Sequence, residues 1–596
     1  MPIISLKKIV LGLSIFAAAA MAAGMDKNRY IALEEIEPGM TGYALSVYTG
    51  TMIEKFPIKV VSVIKDYSPG KDAIFVMGTG EKFKHTGPVE GCSGSPVIID
   101  GRIAGALAFG WGFVKDPLYG VTPIGEMLAI SDRERRLESS VKKINIDCRN
   151  LDFAAICSQV SQILQNKAAA GPMGLSPLEV PLVSSLSQDV CGQVDTLCGV
   201  RVLNGTSSGD IVNPAAGTCT PNFEPGSVVC IPMVDGDIKM AAIGTVTEVD
   251  GDKVYAFGHA FEASGKAELP MATGLIHMVV ANQISSFKFG QSMQIIGSVT
   301  TDTATGIYGK IGQTAPMIPL NIIVNRSDSP DTAVYKCQIA KHDLYTPYLI
   351  QTAIAGAILS QGEVPQEHTI KYGCNIGIKD HKDINFERIS SGQNISPAIF
   401  ETAGPIAALL NNPFGKATIT SVDFYIDIAE GDSTAAITYV KTDKTRVKPG
   451  QKINIGIVTE KRYSRKNVYN ASFDIPADIE QGDYQIVICG SDFYTQFVAG
   501  MKPYAALADD FETMINVIND ALSADTTGLY IVMRTNNNGI SIGKSPLEGL
   551  PLSKMQILAS PKRNYAVMPI SAWVEHKFIT ADIITGQHQI AITVEK

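Results

Sequence analysis

The feature that most constrains the fold is a short run rich in glycine and serine that leads into a predicted β-hairpin. Residues 91–96 read Gly-Cys-Ser-Gly-Ser-Pro, and the apolar run at 97–99 precedes Asp100-Gly101, a preferred two-residue hairpin turn. Glycine lets the backbone fold back until amide N–H groups point toward the Ser93 hydroxyl, as in an oxyanion hole. The pattern therefore predicts that a rigid hairpin presents Ser93 at a strand edge.

Two interpretations of this turn are open from its own residues. In the first, Ser93 is a nucleophile that the surrounding turn displays. In the second, the run is an ordinary turn, because glycine- and serine-rich turns before buried hairpins are common in all-β proteins and a motif needs its structural context. Other parts of the chain must distinguish between the two.

A second predicted hairpin ends at a histidine. This hairpin covers residues 241–257, has an Asp-Gly turn at 250–251, and is followed by a glycine and then His259. A histidine at a strand end can reach into a cleft and act as a general base, because its ordinary pKa is near neutral. Most histidines are structural or lie at the surface, but the position of His259 favours a functional role. His277 and His85 are the alternatives.

Composition describes a globular chain of several domains. Its 596 residues suggest about three or four domains. Hydrophobic residues make up 45% of the chain and charged residues 18%, which is typical of folded proteins. The formal net charge of -9 argues against nucleic acid as a partner, since binding to phosphates requires clustered lysine and arginine.

The first residues have the pattern of a signal peptide, which we assign to residues 1–23. Lys7 and Lys8 form a positive segment, residues 9–19 are apolar but too short to span a bilayer, and Ala-Met-Ala at 20–22 fits a cleavage site. A retained N-terminal anchor is the alternative. We expect an exported product, periplasmic, cell-surface or extracellular, with no membrane span after signal removal.

Six of the ten cysteines fall close together in a polar insert, a pattern that predicts disulfides in an oxidising compartment. The cysteines that neighbour each other in sequence are Cys148 and Cys157, Cys191 and Cys198, and Cys219 and Cys230. Six cysteines allow fifteen pairings, so the pattern leaves the connectivity open. A zinc site is the competing interpretation, but no Cys-x-x-Cys motif or nearby histidine supports it. We therefore expect neither a metal nor a cofactor.

The pattern of strands, helices and turns divides the chain into successive regions and predicts a mainly β protein. Apolar helices are predicted at 346–361 and 397–411, and an amphipathic helix at 505–522. The predicted regions are a signal peptide at 1–23, a serine-bearing half at 24–135, a cysteine-containing insert at 136–223, a histidine-bearing half at 224–330, a helical connecting region at 331–415, a β-sandwich-like module at 416–500 and an α+β region at 501–596.

Both hairpins resemble motifs of one known family. Residues 89–106 resemble the serine motif of the SpoIVB-type peptidases, the sporulation stage IV protein B family, and residues 243–259 resemble its histidine motif. The resemblance covers about residues 30–325 without the insert. It implies a chymotrypsin-like double β-barrel that hydrolyses peptide bonds, so that the expected partner is a protein or peptide substrate.

The resemblance also assigns roles to individual residues. It implies that Ser93 is the nucleophile, that His259 is the general base, and that the amides of Gly91 and Ser93 hold the oxyanion. The serine precedes the histidine here, the reverse of the family's order, as if the two halves were permuted. A triad is defined by geometry and not by chain order, so the roles are compatible with this arrangement.

The third catalytic residue is open. The family's aspartate lies shortly before its serine, but residues 77–80 contain no acid here. Asp72 and Asp302 are the candidates, with Glu81 and Glu90 as further substitutes, and a Ser–His dyad is the alternative. The missing aspartate also keeps open a second function, in which the protein is a catalytically inactive exported scaffold or binding protein that retains the peptidase fold.

Overall fold

The computed structural model describes residues 25–111, 114–134, 144, 146–147, 151–168, 175–178, 180, 182–198, 202–207, 222–283, 285–461, 466–560, 562 and 567–595. The chain forms two compact units. The first comprises Met1–Lys143, Ser161–Pro319 and Lys336–Gly356, and the second comprises Ile144–Val160, Leu320–Tyr335 and Ala357–Lys596.

The first unit begins with a closed, six-stranded antiparallel barrel, here called the serine barrel. Its elements are Thr41–Val47 (β1), Ile53–Ser68 (β2), Lys71–Gly78 (β3), Glu81–Thr86 (α1), Val89–Glu90 (β4), Pro96–Ile99 (β5), Arg102–Trp111 (β6), Leu118–Pro123 (β7) and Ile124–Arg133 (α2). The strand order is β1-β2-β3-β7-β6-β5, and β5 pairs with β1 to close the barrel. Alternating apolar side chains, among them Ile58, Ile74, Val97 and Leu107, fill its interior.

The insert that follows the serine barrel in sequence contains five short elements. They are Phe153–Ala168 (α3), Leu175–Pro177 (β8), Leu182–Ser184 (β9), Gln188–Cys198 (α4) and Leu203–Asn204 (β10). Strand β8 pairs antiparallel with β6 and so lies beside a strand of the serine barrel. The insert is therefore attached to the barrel by a main-chain ladder.

Disulfides are predicted among the cysteines of the insert, but Cys191 and Cys198 form none. Both are buried free thiols in helix α4, seven positions apart. At about 1.5 Å per residue this spacing separates their Cα atoms by about 10 Å along the helix axis, whereas a disulfide needs about 4.4–6.8 Å. Cys230 is also a buried free thiol. The other predicted partners, Cys148 and Cys219, lie outside the described residues.

A second closed, six-stranded antiparallel barrel, here called the histidine barrel, completes the core of the first unit. Its strands are Val228–Gly236 (β11), Met240–Asp250 (β12), Lys253–Ala256 (β13), Gly265–Val280 (β14), Ser286–Thr303 (β15) and Gly306–Ile311 (β16). Their order is β11-β12-β13-β16-β15-β14, and β14 pairs with β11 to close the barrel. The predicted chymotrypsin-like double barrel within a mainly β protein is confirmed.

The barrels are followed by strands and two apolar helices. The elements are Met317–Arg326 (β17), Ala333–Ala340 (β18), Tyr345–Leu359 (α5), His368–Ile378 (β19), Ile384–Gly392 (β20), Ser396–Leu410 (α6) and Ile419–Glu430 (β21). In the second unit, β17 pairs in parallel with β21, β21 pairs antiparallel with β19, and β19 pairs antiparallel with β20. Helices thus occur where two were predicted, with a strand pair between them.

The C-terminal part of the second unit is a β-sandwich with small helices. Its elements are Thr434–Thr442 (β22), Arg446–Val447 (β23), Lys452–Lys461 (β24), Lys466–Asp474 (β25), Gly482–Gly490 (β26), Ser491–Met501 (α7), Phe511–Leu522 (α8), Gly528–Ile542 (β27), Ser545–Leu547 (β28), Leu552–Leu558 (α9), Val567–Ile579 (β29), Ile583–Thr585 (β30) and Gln587–Val594 (β31). One sheet is β25-β24-β22-β30, and the other contains β23, β31, β26, β27, β28 and β29. Ile455 of the first sheet and Ile486 of the second belong to one buried cluster, so the sheets pack face to face.

Among the helices of the described ranges, none is both long enough and apolar enough to cross a bilayer.

Candidate active site

The turn that carries Ser93 is held by main-chain hydrogen bonds to β6. The Gly94 N–H donates to the Leu107 carbonyl at 2.8 Å. Gly94 has a φ of +93°, and a Cβ atom built there would lie 2.1 Å from the carbonyl oxygen of Thr245. Only glycine fits this backbone conformation and this close approach, since a side chain would collide with the histidine barrel. The glycine that follows the serine is therefore a requirement of the fold.

His259 is positioned by a sharp change of direction after β13. Phe257 and Gly258 have φ values of +69° and +71°, in the left-handed region that non-glycine residues rarely adopt. A Cβ atom on Gly258 would lie 2.9 Å from the Cβ atom of Ala106 in β6. The two barrels are therefore in close contact where the histidine leaves its strand.

The structure brings Ser93 and His259 together across the two barrels. The Ser93 Oγ is in hydrogen-bond contact with the Nε2 of His259 and lies 2.7 Å from the Phe257 carbonyl oxygen, to which it can also donate. The two side chains are separated by 166 positions in sequence. The hydroxyl proton thus has two acceptors within reach, an imidazole nitrogen and a main-chain carbonyl.

The main chain fixes the tautomer of His259. Its Nδ1 lies 2.7 Å from the Ala260 carbonyl oxygen, and a carbonyl can only accept a hydrogen bond. The proton of the neutral ring is therefore on Nδ1, which leaves Nε2 as the acceptor that faces Ser93. This is the tautomer that a general base needs.

Burial sets the charge state of His259. The side chain of Ser93 is 0% exposed and that of His259 is 3% exposed. Burial lowers the pKa of His259 from 6.5 to about 4, because removal from water disfavours the imidazolium, while hydrogen bonds to the main chain of Ala260 and Leu178 act in the opposite direction. The ring is consequently neutral at neutral pH.

Asp302 binds the segment that follows His259. Its Oδ1 accepts from the Phe261 N–H at 2.9 Å and its Oδ2 accepts from the Glu262 N–H at 2.6 Å. Burial raises the pKa of Asp302 to about 6, although these N–H donors oppose the shift. The carboxylate therefore fixes the backbone beside the histidine, while the ring nitrogen Nδ1 is occupied by Ala260.

The other sequence candidates lie elsewhere in the first unit. Asp72 accepts a hydrogen bond from the Asp66 N–H at 2.9 Å, near the turn between β2 and β3. His277 contacts the Gln291 side chain at 3.0 Å, and His85 is exposed on α1. Glu90 accepts a hydrogen bond from the Ser285 hydroxyl.

A buried lysine beneath the serine turn was missed by the sequence reasoning. Lys288 is 1% exposed, and its Nζ lies 2.9 Å from the Ser46 Oγ and 3.2 Å from the Thr245 Oγ1. Thr245 in turn donates to the carbonyl of Gly91 at 3.0 Å. Burial lowers the pKa of Lys288. No motif marks this lysine, because its significance comes from contacts with residues distant in sequence.

Within the described ranges, no cluster of three or more histidine, cysteine, aspartate or glutamate residues has the geometry to hold a metal ion.

Comparison with known proteins bears on the region around Ser93. No curated protein and no solved structure matches the chain. A family model does match, and the matched residues, 15–128, include the serine turn and the whole serine barrel but end before His259. Residues 15–128 are similar to the family described as SpoIVB peptidase S55, in agreement with the resemblance of the serine motif.

Proposed function

We propose that the protein is an exported serine endopeptidase in which Ser93 is the nucleophile and His259 is the general base. The observation that carries the proposal is the contact of the Ser93 Oγ with the unprotonated Nε2 of His259. The family match supports a serine peptidase in general. A serine is activated when a base lies within hydrogen-bond reach of its hydroxyl and a third group orients that base.

The chemistry follows from this geometry. His259 takes the hydroxyl proton while the Ser93 Oγ attacks the substrate carbonyl carbon, which forms a tetrahedral oxyanion. The imidazolium then gives its proton to the leaving amine as the peptide C–N bond breaks. Water, deprotonated by the same ring, releases the acyl group from Ser93 and restores the enzyme.

The Ala260 carbonyl takes the orienting role that a carboxylate has in a Ser-His-Asp triad. It fixes the Nδ1–H tautomer, but it carries no full negative charge and stabilises the imidazolium less than an aspartate does. The low pKa of His259 agrees with this difference. We therefore propose a Ser–His dyad with a main-chain third member, in which Asp302 is a positioning residue.

The oxyanion would be held by the amides of Gly91 and Ser93. The Ser95 N–H donates to the Cys92 carbonyl at 2.9 Å. Since the C=O and N–H of a trans peptide unit point in opposite directions, this bond fixes the direction of the Ser93 N–H. The contact of Thr245 with the Gly91 carbonyl restrains the peptide unit between Gly91 and Cys92, which directly precedes that of Ser93. Preorganised N–H donors of this kind stabilise a developing oxyanion.

Export is proposed from the N-terminal sequence. The basic, apolar and small-residue segments of residues 1–23 follow the order of a signal peptide. SpoIVB peptidases are in general secreted or exported, which is compatible with this proposal.

Hydrolysis of an unfolded protein tests the proposed activity. Wild-type protein should cleave casein, and Ser93→Ala should abolish the cleavage because it removes the attacking oxygen. Ser62→Ala is the matched control, since Ser62 is a partly exposed serine in β2 of the same barrel. Equal cleavage by wild type and Ser93→Ala would contradict the proposal.

A second candidate is an inactive scaffold that keeps the peptidase fold. The observation that favours it is the burial of Ser93 and His259, which are 0% and 3% exposed. A binding protein with this fold would bind peptides without cleaving them. Wild-type protein that never cleaves casein or its own chain would favour this candidate.

A further inference from the structure

A segment of the insert lies along the serine barrel as an added strand. In the antiparallel pairing of β8 with β6, Pro177 is opposite Phe109 and Ser176 is opposite Gly110. The ladder continues with the N–H of Leu178, which donates to the Ala108 carbonyl at 2.8 Å. Residues 175–178 are therefore an extended peptide bound to β6 by its main chain.

This added strand ends beside the candidate catalytic pair. Leu107, whose carbonyl accepts the Gly94 N–H of the serine turn, is directly followed in β6 by Ala108, which binds Leu178. The main chain of Leu178 also acts against the lowering of the His259 pKa, so it lies near the ring. Leu178 is thus bound to the strand that supports the serine turn, next to the residue whose carbonyl holds that turn.

The side chain of Leu178 occupies an apolar environment. It is 6% exposed and belongs to the buried cluster that includes Val89, Leu107 and Tyr119. A Cβ atom on Gly110 would lie 3.0 Å from the Leu178 Cδ2, so the glycine leaves room for the leucine. A charged side chain in this environment would lose its hydration without gaining a partner.

Strand addition is a common way to bind an extended peptide, with main-chain bonds for affinity and side-chain pockets for specificity. On this basis we propose that residues 175–178 occupy the substrate-binding strand of the active site, and that the peptide bond after Leu178 is the bond presented to Ser93. The enzyme then prefers substrates with leucine or a similar aliphatic residue before the cleaved bond. This inference rests on the proposed peptidase function.

The step on this segment is the same hydrolysis. The Ser93 Oγ forms a bond to the carbonyl carbon of Leu178, and the C–N bond to the next residue breaks. The serine proton passes through His259 to the released amine. Water then cleaves the acyl bond, so that Leu178 becomes a C-terminal carboxylate and Ser93 regains its proton. An apolar strand at this position also agrees with the burial of Ser93 and His259.

Mapping of self-cleavage by mass spectrometry tests the proposal. Purified wild-type protein should be cut after Leu178, and Ser93→Ala should stay intact there. Leu178→Asp should slow this cut by about tenfold or more, because the aspartate would lose its hydration in the apolar site. Leu178→Met, which keeps the apolar character, should restore most of the rate. Cleavage of Leu178→Asp at the wild-type rate would overturn the proposal.

A measurement on the unmodified protein avoids any folding defect of the variants. Fluorogenic peptides ending in Ser-Pro-Leu before the reporter should be cleaved with kcat/KM about tenfold or more above those ending in Ser-Pro-Asp. Protein whose Ser93 reacts with a fluorophosphonate, but which leaves the bond after Leu178 intact or cleaves both peptides equally, would overturn this inference and not the peptidase function. Protein that does not react at all would contradict the peptidase function itself.

Discussion

The Nδ1 of His259 lies 2.7 Å from the carbonyl oxygen of Ala260, its neighbour in sequence. A Ser-His-Asp triad has an aspartate at this position, which orients the ring and stabilises its positive charge. A carbonyl provides the orientation but only a partial charge. Because the carbonyl occupies this position, neither Asp72 nor Asp302 orients the ring directly. The same contact bears on how the activity should depend on pH.

The rate of reaction of Ser93 with a fluorophosphonate should be lost as pH falls through about 4, well below the ordinary histidine pKa of 6.5. Burial lowers the pKa of His259 from 6.5 to about 4, so the neutral base persists as pH decreases until that value is reached. The same shift contributes stability that is present above 6.5 and is lost as pH falls through about 4. Labelling rates measured from neutral pH to well below pH 4 provide the test. A midpoint near the ordinary histidine pKa would contradict the burial of the ring.

Asp302→Asn should weaken the site without changing its acid midpoint. In the wild type, the N–H groups of Phe261 and Glu262 donate to the two carboxylate oxygens of Asp302. Asparagine would offer them only one acceptor oxygen. The loss of one buried hydrogen bond should cost about 1–3 kcal/mol of unfolding free energy and slow labelling. Urea unfolding and the labelling rate as a function of pH provide the measurements.

Asp72→Asn is the matched control for that change, because Asp72 bonds to the Asp66 N–H near the turn between β2 and β3. It should leave the labelling rate close to that of wild type. If it abolished labelling while Asp302→Asn did not, the assignment of the Ala260 carbonyl as the orienting group would be wrong.

Part of this site follows from sequence and part does not. Ser93 and His259 are predicted because each follows a local pattern of glycine and hairpin residues. The Ala260 carbonyl could not be predicted, since every residue has a carbonyl and only the fold decides which one meets a side chain. Leu178 has no motif either, and its role depends on an antiparallel pairing with β6.

The second unit shows the same limit of local patterns. Residues 536–539 read Asn-Asn-Asn-Gly, which predicts a turn. In the structure they lie within strand β27, whose pairing with β29 shifts register between Arg534 and Asn538. A β-bulge accommodates residues that would otherwise end a strand. In the first unit, the disulfides predicted for the insert do not include a bond between Cys191 and Cys198, because spacing in sequence does not specify the helix that separates them.

Lys288→Met should loosen the serine turn. In the wild type, the Lys288 Nζ donates hydrogen bonds to the hydroxyls of Ser46 and Thr245. Methionine fills a similar volume but has no donor, so both hydroxyls lose a buried partner. We expect a loss of about 1–3 kcal/mol of unfolding free energy and a lower labelling rate, because Thr245 holds the Gly91 carbonyl. Lys288→Arg, which keeps a donor, should recover part of the labelling rate if it folds. Unchanged labelling of the folded Lys288→Met variant would exclude a positioning role.

Gly94→Ala should prevent formation of the site. The added Cβ atom would lie 2.1 Å from the Thr245 carbonyl oxygen, on a residue with a φ of +93°. The clash should cost about 3 kcal/mol or more and abolish labelling. Gly101→Ala is the control, since its φ of +76° is also positive but no atom lies within 4 Å of the added Cβ. That change should cost about 1–2 kcal/mol and leave labelling intact. Thermal unfolding of both variants measures the difference.

The most direct test of a serine activated by His259 is the intact mass of the protein after reaction with a fluorophosphonate. We predict one adduct on Ser93 in the wild type, none in Ser93→Ala, and a rate reduced by about 10²-fold or more in His259→Gln, which removes the base. Wild-type protein that gains no mass, or an adduct on a different serine, would contradict the account.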